Sequence, residues 1–133
     1  MIRGVHHISM NCSEEQLPEA KHFYCDLLGL EIVREWPTGI MVEAGNCWIE
    51  IMIGEANRLK GAVRHFAFFT DDTDEISARV AEAGYDLFDK PRDICIPCEP
   101  SVPARISFVI GPLGEEIEFF NDRSVNAERF FNS

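Results

Sequence analysis

Apolar and polar residues alternate over residues 5–11, the pattern of a strand that buries one face. Polar residues follow, and then Leu17, Ala20, Tyr24, Leu27 and Leu28 recur at helical spacing, with Pro18 tolerated in the first turn and Gly29 at the end. The spacing predicts a helix. Residues 30–36, 40–44 and 47–53 read as three strands, cut by Pro37-Thr38-Gly39 and by the Gly45-Asn46 turn pair. Residues 54–63 are polar and glycine-bearing and read as a linker. The pattern then restarts. Residues 64–70 form a strand, Asp72 and Glu75 have capping-box spacing, and Ile76, Val80 and Ala83 share a helical face before Gly84. Residues 85–89, 105–110 and 116–120 complete the second set of three strands.

The order is therefore βαβββ twice, which predicts an α+β chain built by internal duplication, expected as a single domain over residues 1–133. Module one spans about residues 3–53, module two about 64–121, and a tail runs over 122–133. His7 and His65 are 58 residues apart and Glu50 and Glu118 are 68 apart, so module two carries extra residues. They fall in residues 91–104, which hold four prolines in 14 residues and read as a loop, expected to act as a flap over a binding site. Phe130 and Phe131 in the tail are expected to pack on this chain or on a partner.

A net charge of -11, from 23 acids against 12 Lys and Arg, repels phosphate backbones and anionic headgroups, so nucleic acid and membrane surfaces are excluded as expected partners. No run approaches 18 apolar residues, and the opening MIRGVHHISM lacks the continuous apolar stretch of a signal peptide. Five cysteines, an odd and loosely spaced set, suit reduced thiols, and a soluble cytoplasmic protein is expected. Cys95 and Cys98 form a lone C-x-x-C flanked by Pro97 and Pro100. With no second pair to complete a zinc site, they read as inert loop cysteines.

Strand alternation splits residues 47–53 into a face with Cys47, Ile49, Ile51 and Ile53 and a face with Trp48, Glu50 and Met52. Glu118 shares its face with Phe120. On the opening strands His7 lies beside Ser9, and His65 beside Ala67 and Phe69. A single His or Glu on a strand is ordinarily a satisfied polar residue. A His on the first strand and a Glu on the last strand of both copies is a different matter, because random polarity seldom repeats at equivalent places. Two imidazoles and two carboxylates suit one divalent ion of Zn, Ni, Co, Fe or Mn, and four protein ligands leave positions open for substrate. His6 could compete with His7, but the match of His7-Ile8-Ser9-Met10 to His65-Phe66-Ala67-Phe68 selects His7 and turns His6 the other way. His22 reads as solvated surface.

HHISM, FYCDLLGLEI, RHFAFFTDD and GPLGEEIEFF make the chain resemble the vicinal oxygen chelate superfamily of glyoxalases, bleomycin resistance proteins and extradiol dioxygenases, over about residues 3–121. The resemblance implies two βαβββ modules in a curved, cleft-bearing mixed sheet, a divalent metal at His7, Glu50, His65 and Glu118, and a homodimer. Glu at position 50 resembles glyoxalase I. That branch implies a lyase or isomerase acting on a small hydroxy-carbonyl compound through an enediolate, with Glu118 as base and Glu50 returning the proton. Glutathione-using glyoxalases carry Arg four residues after the first ligand and Asn four after the first Glu; this chain has Asn11 and Gly54 there, leaving Arg34, Arg92 and Arg105 as other possible cations. The alternatives are a resistance-type protein that binds without turnover and an Fe(II) extradiol-type dioxygenase using His7, His65 and Glu118.

Overall fold

The computed structural model describes residues 1, 5–55, 64–125 and 127. Most of the expected linker, residues 56–63, and the tail residues Phe130 and Phe131 lie outside the described residues. The chain divides into two compact units, Met1–Ala62 and Val63–Ser133.

Unit one runs β1 (His7–Cys12), α1 (Gln16–Lys21), β2 (Ile32–Trp36), β3 (Gly39–Glu43) and β4 (Trp48–Ile53). Ser13 and Gln16 open the helix reciprocally: Ser13 N donates to Gln16 Oε1 at 2.9 Å, and Gln16 N donates to Ser13 Oγ at 3.2 Å. The helix expected as one piece continues from α1 as a π-helical segment, His22–Leu27. Its wider turn closes with Leu28 N donating to Phe23 O at 2.9 Å and keeps two adjacent aromatics, Phe23 and Tyr24, buried together. The strands order as β1-β4-β3-β2, with β1 parallel to β4 and the other pairs antiparallel. Ile40, Val42, Ile49 and Ile51 are buried on one side of this sheet, each side chain stabilising the unit by about 1.5–3 kcal/mol.

Unit two repeats the arrangement with β5 (Phe66–Phe69), α2 (Thr73–Glu82), β6 (Asp86–Ile96), β7 (Val102–Ile110) and β8 (Glu116–Asp122), ordered β5-β8-β7-β6. Asp72 caps α2 as its spacing predicts, accepting from Glu75 N at 3.0 Å. The helix packs on the face of β7 and β8 that carries Val109, Ile117 and Phe119. The seam also holds polar groups: Ser77 Oγ meets Ser107 Oγ at 2.7 Å and Thr73 Oγ1 donates to Arg105 O at 3.0 Å, so the buried hydroxyls are satisfied.

The expected flap over residues 91–104 is not a loop. It extends the β6–β7 hairpin, with Ile94 paired to Ala104 and Ile96 to Val102, and only residues 97–101 turn. Three prolines fit because β6 is an edge strand, Pro91 lies at a bulge between Asp89 and Arg92, and Pro97 and Pro100 fall in the turn; the fourth, Pro103, lies on the inner strand β7 opposite Cys95, one residue beyond its last pair with β8, Ala104–Asp122. Each bulge adds one residue on β6, so Asp86, Asp89 and Arg92 pair with Ile110, Phe108 and Ile106 and share one face.

Candidate metal centre

Parallel pairing of β1 with β4 sets His7 against Trp48, Ser9 against Glu50 and Asn11 against Met52. His7 and Glu50 therefore stand on the same face of sheet one, the face opposite Ile49 and Ile51. Ser9 Oγ donates to Glu50 Oε1 at 2.8 Å, and Glu50 remains half-exposed. In β3, Met41 pairs with Glu50, and in β2 Arg34 pairs with Met41. The guanidinium of Arg34 lies 4.9 Å from the centre of the Trp48 ring.

His6 does not turn away as the alternation implied. It precedes β1, where strand alternation no longer governs it. Its ring lies 5.1 Å from that of Trp48, and its Nδ1 is 2.9 Å from His7 Nδ1, a contact in which one nitrogen donates and the other accepts. The sequence gives no signal for this beyond the adjacency of two histidines.

Unit two repeats the register. Ala67 pairs with Glu118 as Ser9 pairs with Glu50, and each His stands two residues ahead of that partner. The structure brings His65 and Glu118 together, with Nε2 3.4 Å from Oε1. The His65 ring stands edge-on to Phe108 at 5.0 Å, and its buried Nδ1 has no hydrogen-bond partner among the described residues. Glu118 is 9% exposed. Burial pushes its carboxyl above the usual glutamate range, while His65 first and Arg92 second pull it back.

These residues fit a divalent ion by their donor chemistry. A carboxylate this desolvated, beside an imidazole nitrogen, gains most from a cation that takes both as ligands, and Zn, Ni, Co, Fe and Mn accept mixed nitrogen and oxygen donors. Each unit places a His and a Glu at the same register of its own sheet. Among the described residues no three or more His, Cys, Asp or Glu side chains gather closely enough to form a metal cage.

The other candidates of the sequence have structural surroundings. All five cysteines are free; Cys95 and Cys98 are exposed near the hairpin turn, and burial raises the thiol pKa of Cys12, Cys25 and Cys47. His22, exposed as expected, meets Asp26 at 2.9 Å. No described helix is long and apolar enough to cross a membrane.

Comparison with known proteins gives the chain its relatives. Glutathione transferase FosA of Serratia marcescens is 26% identical over 94 residues, which cover 66% of this chain and 65% of that protein, just under two thirds of its length. Among solved structures, a glyoxalase family protein from Bacillus anthracis aligns with a TM-score of 0.70 at 23% identity, covering 92% of this chain and 98% of that one. Lactoylglutathione lyase from Agrobacterium tumefaciens aligns with a TM-score of 0.66 at 17% identity over 91% and 95%. TnmS3, an antibiotic binding protein from Streptomyces sp. CB03234, aligns with a TM-score of 0.69 at 22% identity over 91% and 97%. At these identities the structures speak for the fold, two βαβββ-like modules with four-stranded mixed sheets. The family profile matches residues 4–96, and the chain, with its repeated module, belongs to the Glyoxalase/Bleomycin resistance protein/Dioxygenase superfamily.

Proposed function

We propose that the chain is a divalent-metal-dependent lyase or isomerase of the glyoxalase type, acting on a small hydroxy-carbonyl compound, with His7, Glu50, His65 and Glu118 as the metal ligands. The observation that carries this reading is the repeated register: each module sets a His two residues ahead of the cross-strand partner of a Glu. When bound, the ion supplies Lewis acidity toward the carbonyl and hydroxyl oxygens of the substrate. Glu118 is the base. Its desolvated carboxylate holds a proton more tightly than an exposed one, which suits it to take the proton from the carbon beside the carbonyl. Glu50, half-exposed and oriented by the Ser9 hydroxyl, would take a proton from solvent and return it to the neighbouring carbon, while Glu118 gives the proton it has taken back to solvent. The aromatic rings of Phe108 and Phe120 on the Glu118 face help exclude water from that exchange.

The free cysteines support a reducing compartment, the cytoplasm. Exposed apolar residues such as Phe69 and Phe88 support a homodimer, expected as twice the chain mass in light scattering at micromolar concentration. Elemental analysis followed by a screen of hydroxy-carbonyl compounds tests the main reading. About one Ni, Zn or Co per chain with turnover supports it. A chain that takes up no metal and turns nothing over overturns it in favour of a resistance-type binding protein, a reading that the likeness to antibiotic-binding TnmS3 favours. Oxygen-sensitive Fe(II) would instead favour dioxygenase chemistry.

A further inference from the structure

Asn11 leaves the proposed site without a cation on β1, and three arginines could supply one. Their surroundings separate them. Arg105 is turned toward α2: its Nε and Nη2 donate to Asp74 at 2.7 and 2.9 Å, and its Nη1 donates to Asp93 at 3.2 Å. Arg92 shares the Glu118 face, but Asp89 takes its Nε and Nη2 at 2.9 and 3.0 Å and neutralises it.

Arg34 is uncommitted. Ser9, Glu50, Met41 and Arg34 form one row across the face of sheet one. Its guanidinium lies over Trp48, which is the cross-strand neighbour of His7 and the same-face neighbour of Glu50. Among the described residues no carboxylate forms an ion pair with it, and Glu43, which pairs with Trp48, is not in such contact. The indole face draws the positive guanidinium, and among the described residues no hydrogen bond takes its N–H fork. A fork of that kind matches the paired oxygens of a carboxylate or a phosphate. In a chain of net charge -11, a cation beside the ligand pair is also what lets an anion approach.

We propose that Arg34, held on Trp48, is a specificity-determining residue of the site and receives an oxyanion group of the substrate, a carboxylate or a phosphate. The substrate is then an anionic hydroxy-carbonyl compound. This inference rests on the metal-site reading above, since it takes the His7 and Glu50 face as the place where substrate lies.

The test uses the full chain, nitrogen-15 labelled and metal-free, titrated with inorganic phosphate and separately with acetate, with chloride at matched ionic strength as the control. The Nε–Hε signal of Arg34 is expected to move saturably with either oxyanion and not with chloride. Phosphate binding should weaken at least tenfold in Arg34→Gln and less in Arg34→Lys, which keeps the charge and loses the fork. Elemental analysis of the same preparations, after exposure to Zn, should find equal metal in wild type and Arg34→Gln. An unmoved Arg34 signal, or Arg34→Gln binding phosphate as tightly as wild type, overturns the inference whatever the metal content. Saturable phosphate binding at Arg34 in a chain that takes up no metal supports the oxyanion site and overturns the metal reading instead.

Discussion

Glu50 and Glu118 occupy the same point of two sheets with the same strand order, yet their surroundings differ. Glu50 is half-exposed and accepts a hydrogen bond from Ser9. Ala67 stands where Ser9 does and has no hydroxyl to offer, so Glu118 is left buried against His65 with its pKa raised. The neighbouring faces differ as well. Among the described residues no carboxylate pairs with Arg34 in unit one, whereas Arg92 is tied to Asp89 in unit two. A duplication can thus keep the type of a residue and change its environment, and in the proposed reaction environment is what would assign one carboxylate to proton abstraction and the other to a different task.

The largest expected effect tests that division directly. Glu118→Gln should lower kcat/KM on a hydroxy-carbonyl substrate by about 10²–10⁴-fold, the usual worth of a general base, with a smaller loss of metal. Glu50→Gln should cost less activity. Equal losses in the two variants, measured beside elemental analysis, would erase the distinction between the pairs. A smaller effect concerns pH. In the metal-free chain folded Glu118 binds its proton more tightly than unfolded Glu118, so its contribution to stability is fully present below the ordinary glutamate pKa and is lost as pH rises through the raised value. Denaturant unfolding across that window should show the slope in wild type and a flatter one in Glu118→Gln. Ala67→Ser sharpens the comparison by giving unit two the hydroxyl of unit one. A donor to the ionised form favours it, so the Glu118 carboxyl should titrate lower in a carbon-13 NMR titration. The smallest change is expected in Ser9→Ala, which should destabilise the chain by about 0.5 kcal/mol because solvent competes for that exposed hydrogen bond.

The equivalence of the two His and Glu pairs was legible because it rests on strand alternation and internal repetition, both of which are properties of residue order. The contrast between Glu50 and Glu118 was not, since it depends on which strands close over each letter. Residues 91–104 misled through their prolines. Proline opposes a central strand, but here Pro91 falls at a bulge on an edge strand, Pro97 and Pro100 in a turn, and Pro103 one residue past the last β7–β8 pair, which local composition does not distinguish from a loop. The π-helical turns hid behind ordinary helical spacing, and Ser13-Glu14-Glu15-Gln16 carried a capping box one turn ahead of the first apolar position used to place the helix. Arg34, Arg92 and Arg105 were indistinguishable as residues. Only bulges and cross-strand register sort them into one uncommitted cation and two that acidic neighbours already hold.

Among the described residues the first strand of each sheet pairs with the last and with no other, and this sets an order of events during synthesis. Sheet one has all its strands once residue 53 has emerged, whereas β5 waits for β8 at residues 116–122. Through that interval Phe66-Ala67-Phe68-Phe69, an uncharged and largely aromatic run, has its backbone groups without a ladder, the kind of segment that seeks strands on other chains. A nascent chain stopped after β7 should therefore self-associate more readily than one stopped after β4, and the arrival of β8 is what ends the hazard.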